Sequence, residues 1–506
     1  MPLMLPQAAR AAEAARLKIT DVRLIKIRLV EDKGILARRV DTPRGGLHVQ
    51  IGNFTVTEVH TDQGLVGIGP GIPPENLEYV KQLLVGQDPF EINKHAAALY
   101  RPQRRWGASV EIALWDLLGK ATDLPLYKLW GGGRDKVLPY AAMWGIGTVE
   151  DRVEIAIGLK EDGWRAIKLR SGFRTMEEDV RVVELVRDAL GDDFHILCDG
   201  NKAPGDADAN GEDPTLWNFK RAYDTAMEYQ RLNVYWLEEP LPRYDYERLA
   251  ELNRLLAMPM AGAEANWGIH EFRWLLEQGC FDVLMPEIGD IGPLMSRTVG
   301  TLAAAYNRQV SPHSAPFERR LVNICGIHLI ASMPNGPITE FIHEPPHADI
   351  FEGWQVFENP PVLEEDGSIK VPQGPGLGVT FREDLIEENL MEYIDGFLAA
   401  VSNDKKDDYI QFAKEAAAIF KEHGATRIVE CWGDDVPEGE ITSFPKAVQC
   451  KENETVVFSW VAWPSKEARD KGNEKVMSDP RLNTAQEPPF DGKRIIFGGF
   501  QMMLSE

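Results

Sequence analysis

Cysteine is scarce in this chain of 506 residues. The five present, Cys198, Cys280, Cys325, Cys431 and Cys450, show neither close pairing nor metal-finger spacing, which excludes a disulfide framework and a structural zinc knuckle. They read as ordinary thiols of a reducing cytoplasm. Long apolar runs are missing as well, and the start MPLMLPQAARAAEAARL has no clear basic n-region and no long h-region, so no membrane span and no secretion signal are expected. Positive charge is in deficit: 55 Lys and Arg stand against 79 Asp and Glu, a formal net charge of -24. Such a surface repels nucleic acid, although a local basic pocket could still receive an anionic metabolite. Small molecules are the expected partners. No G-x-G-x-x-G opens a helix, which argues against a dinucleotide-binding open sheet.

The length exceeds one typical hydrophobic core, so two or three domains are expected. After an extension over 1–18, ITDVRLIKIRLV and NFTVTEVHTDQGLVGIGP alternate as strands do. RWGASVEIALWDLLGKATDLPLYKLWGG then takes a helical apolar period with a Gly/Pro-rich exit, with Trp106 and Trp115 expected in the core. Together they predict an α+β opening domain over 19–135.

From Val137 short apolar strands pass through a polar residue into amphipathic helices: RAIKLR, then a helix over 176–190; HILCDG; VYWLEEP, then YERLAELNRLL; MAGAE; DVLMPE; RQVSPH; PITEF. This rhythm predicts a parallel β/α barrel over 136–359, with polar residues converging at the carboxyl ends of its strands. KAPGDADANGEDP reads as a surface loop. Beyond roughly 390 the order becomes approximately β-α-β-β-α-β, with helices across 405–423 and 465–478, so 391–506 reads as a separate ferredoxin-like module. Its Phe458, Trp460 and Trp463 read as core or dimer-interface residues.

Three carboxylates end successive predicted strands: Asp199 in HILCDGN, Glu238 in VYWLEEP and Glu264 in MAGAEAN. A shared sheet rim carrying all three needs a divalent cation, and an all-oxygen ligand set favours Mg²⁺, with Mn²⁺ as the alternative. Such a cation stabilises the enediolate formed when a proton is removed α to a carboxylate. Glu239, beside Glu238, reads as support for the ligands. Lys168 and Arg170, two apart in KLR, face the same way in a regular strand. Lys168 is a candidate base, and Arg170, always charged, an electrostatic clamp. His313 in VSPHSA is the natural acid/base near neutral pH, and Glu287 in LMPEIGD is placed to orient it, with Asp290 as the competing partner. Glu340 in PITEF is a candidate contact to the reacting carboxylate. Arg44, His48, Arg101, Arg104 and Arg105 are candidates for contacting substrate.

Taken in order, WDLLGK, DGN, LEEP, GAE, VSPH and PITEF make residues 19 to about 390 resemble the mandelate racemase/muconate lactonizing branch of the enolase superfamily. The resemblance implies a capping domain, completed by about 360–390, over a modified (β/α)₇β barrel, one essential Mg²⁺, and abstraction of a proton α to a carboxylate. By that match Asp199, Glu238 and Glu264 take the metal, His313 the acid/base role and Glu340 the substrate carboxylate. Two departures shape the expected reaction. Glu287 stands where an Asp usually partners the histidine, and Arg170 where many relatives have the second Lys of K-x-K. Loss of that second base disfavours a two-base racemase and leaves dehydration of a sugar acid, aldonic or aldaric, to a 2-keto-3-deoxy acid. The alternatives are racemization or epimerization of a 2-hydroxy acid, and a metal-dependent binding or sensor protein without turnover. MEYIDGFLAAV, ECWGDDVPEG, VVFSWVAWPSKEARDKG and PFDGKRIIFGGF resemble small bacterial domains of unknown function with a dimeric α/β-barrel form. Association into a homo-oligomer is the role expected of them, with His423, Glu430, Trp432 and Asp434 the polar candidates for a second site.

Overall fold

A computed structural model describes residues 17–28, 31–36, 47–51, 54–100, 105–145, 147–173, 175–203, 217–313, 320–387, 393–463, 466–481 and 488–502. The chain divides into two units, Met1–Glu387 and Glu388–Glu506. Among the described residues no helix is long and apolar enough to cross a membrane.

The first unit opens on an antiparallel sheet of β1 (Ile19–Ile27), β2 (Phe54–Thr61) and β3 (Val66–Pro70). Helices α1 (Leu77–Leu84), α2 (Ile92–Leu99) and α3 (Gly107–Thr122) follow. The sequence rhythm had marked only α3 of these. Almost all of α3 is buried, and the absence of side chains at Gly67 and Gly69 lets β3 lie directly against its backbone. Asp116, in the WDLLGK run, is wholly buried and accepts from the amides of Ile68 (2.9 Å) and Leu377 (2.8 Å). Trp106 and Trp115 pack against the core, as their spacing suggests.

The barrel then alternates β4 (Pro139–Ala142), α4 (Val149–Glu161), β5 (Ala166–Arg170), α5 (Met176–Leu190), β6 (His195–Asp199), α6 (Phe219–Arg231), β7 (Leu237–Glu238), α7 (Tyr246–Leu255), β8 (Met260–Gly262), α8 (Ile269–Gln278), β9 (Val283–Leu284), α9 (Ile288–Ala305), β10 (Gln309–Val310), α10 (Arg320–Ser332) and β11 (Thr339–Ile342). All neighbours pair in parallel, in the order β10-β9-β8-β7-β6-β5-β4-β11. Ser311 Oγ, just beyond β10, donates to the carbonyl of Ile338, just before β11, tying the two ends of the sheet together. Eight strands and seven intervening helices make the (β/α)₇β barrel. Thr148 and Thr175 start α4 and α5 through capping boxes with Asp151 and Glu178. Tyr140, Leu197, Trp236, Ala261, Val283 and Met285 fill the inside of the barrel, while Ile167, Leu169, Ile196 and Leu237 face the helices. That alternation aims the next inward positions at the rim. The chain finally returns to the first sheet, where β12 (Ile386–Glu387) pairs with β1.

Glu111 on α3 has no exposed surface, and burial pushes its carboxyl up to about 7. A folded-state value raised above the unfolded one gives stability that is full below the ordinary 4.5 and lost as pH rises through about 7. Glu111→Gln cannot titrate, so its stability relative to the native chain should improve by about 3 kcal/mol between pH 4.5 and pH 8. Thermal melting of both proteins across that range checks it; a constant difference would show that Glu111 titrates normally.

The second unit is β13 (Tyr393–Ser402), α11 (Lys406–Glu422), β14 (Arg427–Trp432), β15 (Glu454–Trp463), α12 (Lys466–Ser478) and β16 (Ile496–Gln501), a ferredoxin-like β-α-β-β-α-β order with sheet order β14-β15-β13-β16. TSFPKAVQC holds a four-residue helix between β14 and β15. Buried Trp463 donates to the buried carboxylate of Asp395 (3.0 Å), which also binds Arg469 and Asn473. Trp463 is therefore a core residue. Phe458, by contrast, is 42% exposed. It shares a sheet face with Leu398, its ladder partner, and with Ile496.

Candidate active site at the barrel rim

Strand register sets the site. Arg170 lies opposite Asp199, and Asp199 opposite Glu238, so β5, β6 and β7 end at one level. Lys168, one inward step below Arg170, is buried. Glu264 follows β8 after Ala263, whose φ of 83° turns the chain over the rim. Glu287 caps α9, its Oε1 accepting from the amide of Gly289 at 2.7 Å, and it bridges in parallel to His313 beyond β10. Glu340 of β11 is paired with Tyr140.

These side chains form two groups of ion pairs within electrostatic reach of each other, Glu264 acting on Glu238 and Glu340 on His313. Lys168 Nζ lies 2.5 Å from Glu340 Oε1, 2.8 Å from Glu238 Oε2 and 3.9 Å from Asp199 Oδ2, above the ring of Tyr140 at 5.7 Å. His313 stands between two carboxylates: Nδ1 is 2.6 Å from Glu287 Oε2 and Nε2 is 3.3 Å from Glu264 Oε2. Asp290, the competing partner, pairs instead with Arg105 at 2.6 Å. Arg170 approaches Asp199 at 3.9 Å, and its buried Nε has no hydrogen-bond partner among the described residues.

The charges do not balance. Asp199, Glu238, Glu264, Glu287 and Glu340 set five carboxylates against three cations, Lys168, Arg170 and His313. Burial first, then Asp199, Glu340 and Glu264, drive the Glu238 carboxyl well above its usual range, against the pull of Lys168. Its Oε1 is buried without a hydrogen-bond partner among the described residues. Burial opposes charge on Lys168 and on His313, yet the surrounding carboxylates outweigh it and hold both protonated. A divalent cation would supply the missing charge, and carboxylate oxygens suit Mg²⁺. Among the described residues, however, no three Asp, Glu, His or Cys side chains are grouped closely enough to hold an ion as they stand. Lys168 and His313 hold the oxygens of Glu238 and Glu264, so ligation requires those carboxylates to turn away from them.

Arg44, Arg101 and Arg104 lie outside the described residues, as does most of KAPGDADANGEDP, and only the backbone of His48 is described, paired with Ile35. Glu239 has the supporting place its sequence position suggests, with Arg243 as an unexpected partner. Glu239, with φ of 40°, is buried and 3.7 Å from buried Arg243, which donates to the carbonyl of Ala203. The EPLPR run after Glu239 carried that signal: a cation four residues from a carboxylate across two prolines. In the second unit His423 pairs with Asp479, Glu430 accepts from Tyr409, and Trp432 lies beneath Lys406. Asp434 lies in the bend after β14. These are separate local contacts.

Comparison with known proteins agrees with this architecture. The model for the mandelate racemase/muconate lactonizing enzyme N-terminal domain matches residues 25–131, the enolase C-terminal domain-like model 151–385, and a family of proteins of unknown function, DUF1428, 392–492. L-talarate/galactarate dehydratase of Salmonella typhimurium is 30% identical over 351 residues, covering 65% of this chain and 80% of the relative. The crystal structure of a mandelate racemase/muconate lactonizing enzyme from a marine actinobacterium, in complex with magnesium, has a TM-score of 0.57 at 27% identity, covering 73% of this chain and 98% of that one. The uncharacterized protein YbaA of Escherichia coli K12 is 57% identical over 117 residues, 23% of this chain and all of YbaA. The chain belongs to the mandelate racemase/muconate lactonizing enzyme branch of the enolase superfamily, with a DUF1428 domain at its C-terminal end.

Proposed function

We propose that the chain is a Mg²⁺-dependent acid-sugar dehydratase that converts an aldonic or aldaric acid to a 2-keto-3-deoxy acid. The observation that carries this is the unbalanced cluster of five carboxylates at one rim with a single, carboxylate-backed imidazole facing it. Asp199, Glu238 and Glu264 would hold Mg²⁺, or Mn²⁺ in its place, to neutralise the charge that gathers on the substrate carboxylate once the α-proton leaves. Nε2 of His313 takes that proton, for which the ring must be neutral and free of Glu264, as it would be were Glu264 turned to hold the metal. Glu287 accepts from Nδ1 and keeps the tautomer that leaves Nε2 basic. The C2–H electron pair moves into the carboxylate system and returns to expel the C3 hydroxyl. That hydroxyl takes the proton from the imidazolium and leaves as water. The enol then tautomerises to the 2-keto acid.

Lys168, held as an ammonium between Glu238 and Glu340, serves as an orienting charge for the substrate carboxylate. Arg170 offers its unpaired Nε as a donor to a substrate oxygen. A racemase would need a base on the opposite face, which a guanidinium cannot be. Incubation of the purified chain with a panel of aldonic and aldaric acids, with Mg²⁺ and then with chelator, should show 2-keto acid only with metal. Exchange at C2 without loss of water would favour racemization or epimerization, and closure of the pocket on a ligand with no proton exchange would favour a binding protein.

The exposed apolar side chains Phe458, Ile496 and Phe500 support a homo-oligomer formed through the second unit. Sedimentation of the native chain and of Phe458→Asp should show a smaller species for the variant.

A further inference from the structure

The turn that carries Glu287 is gripped from outside the barrel. Helix α9 is two helices joined at Gly292, whose φ of 77° and ψ of 163° break the helical path. The first turn, Ile288–Ile291, is headed by Glu287; the second part starts at Pro293, and the Leu294 amide is one of its free N-terminal donors. That amide donates at 2.7 Å to Oε1 of Glu111 on α3. The same oxygen accepts from Trp115 Nε1 at 3.0 Å, and Oε2 accepts from the Tyr100 hydroxyl at 2.6 Å. A side chain at Gly292 would overlap both the Tyr100 hydroxyl and the Glu111 carboxylate, so glycine is what permits the close approach. Arg105 grips the same turn through Asp290. Between this anchor and the carboxylate touching His313 lie only Ile288–Pro293.

We infer that Glu111 is a positioning residue: it fixes the break in α9 and thereby the aim of Glu287 at His313. This rests on the dehydratase reading for its kinetic consequence, though not for its structural one. A buried carboxylate in an otherwise apolar contact is costly unless fully bonded, and here three donors converge on it while burial drives its carboxyl up to about 7. The charged and titratable groups around it are Tyr100, Arg297 on α9, and Cys325 on α10. Gln matches the pattern: its carbonyl can replace Oε1, accepting from Trp115 and Leu294, and its amide can donate to the Tyr100 oxygen. Ala leaves all three groups unpaired, and Asp draws the carboxyl back by one carbon.

The test compares Glu111→Ala, Glu111→Asp and Glu111→Gln in the full chain with Mg²⁺. Expected for Ala is a fall in kcat of about tenfold or more, with KM and Mg²⁺ affinity within about twofold of native; Gln should restore most of kcat and Asp should fall between. Hydrogen–deuterium exchange should rise at the Gly289 and Leu294 amides in Ala and stay native in Gln. If the Ala variant does not fold, the Asp variant takes its place. Native kcat in both Ala and Asp, or equal losses in Ala and Gln, would overturn the inference. Should the native chain turn over none of the sugar acids, the dehydratase reading fails on its own. Exchange at Gly289, and the downfield His313 Nδ1 proton signal, then still decide the positioning role: unchanged in Ala, they overturn it.

Discussion

Replacing His313 with Asn is expected to lower α-proton removal by about 10³-fold, while Mg²⁺ affinity stays within a few-fold of native. Asn keeps a polar side chain in contact range of Glu287 but cannot take and return a proton near neutral pH. Glu287→Gln should cost less, because the 2.6 Å contact to Nδ1 can survive as a neutral hydrogen bond that still orients the ring. α-Proton exchange in deuterated water, measured beside product formation, separates the steps. If His313→Asn exchanges and dehydrates at the native rate, the base lies elsewhere. If exchange survives and dehydration stops, His313 serves only the departing hydroxyl and Lys168 becomes the candidate for abstraction.

The second large effect is expected at the carboxylates. Asp199→Asn, Glu238→Gln and Glu264→Gln each replace an anionic oxygen at nearly constant size, so each should weaken Mg²⁺ binding by more than about tenfold and suppress turnover with it. Glu238→Gln is the most informative of the three. It removes the charge that most strongly holds Lys168 protonated and relieves a desolvated carboxylate, so the metal-free protein should not be destabilised even as metal binding falls. Calorimetric Mg²⁺ titration of the folded variants checks this, and unchanged affinity in all three would remove the ligand assignment.

Much of this rim was legible in the sequence for a simple reason. A strand of period two buried on both faces leaves its last inward position as the first that can be polar, so Asp199, Glu238 and the Lys168–Arg170 pair stood out against apolar neighbours. Strand lengths were less legible: β7, β9 and β10 ladder over only two residues each, fewer than the runs VYWLEEP, DVLMPE and RQVSPH suggest. Nor could the sequence show that Lys168 would stand among the carboxylates or that Asp290 would be taken by Arg105, 185 positions away in the chain. The grip of Glu111 on Leu294 is of the same kind. Its separation of 183 positions leaves no local pattern, and inside a helix of apolar period a glutamate reads as an exposed residue until the fold buries it. In the second unit the β-α-β-β-α-β order was legible, while the role of Trp463 depended on Asp395 of the neighbouring strand.

The most direct measurement follows the sugar-acid panel by proton NMR in deuterated water, first with Mg²⁺ and then with chelator. The C2 proton of a true substrate should disappear only with metal, at the rate at which a 2-keto-3-deoxy acid carrying one solvent deuteron at C3 appears, and both should stop in His313→Asn. Metal-independent product, or loss of the C2 proton with the hydroxyl at C3 retained, would contradict dehydration begun by His313 at this rim.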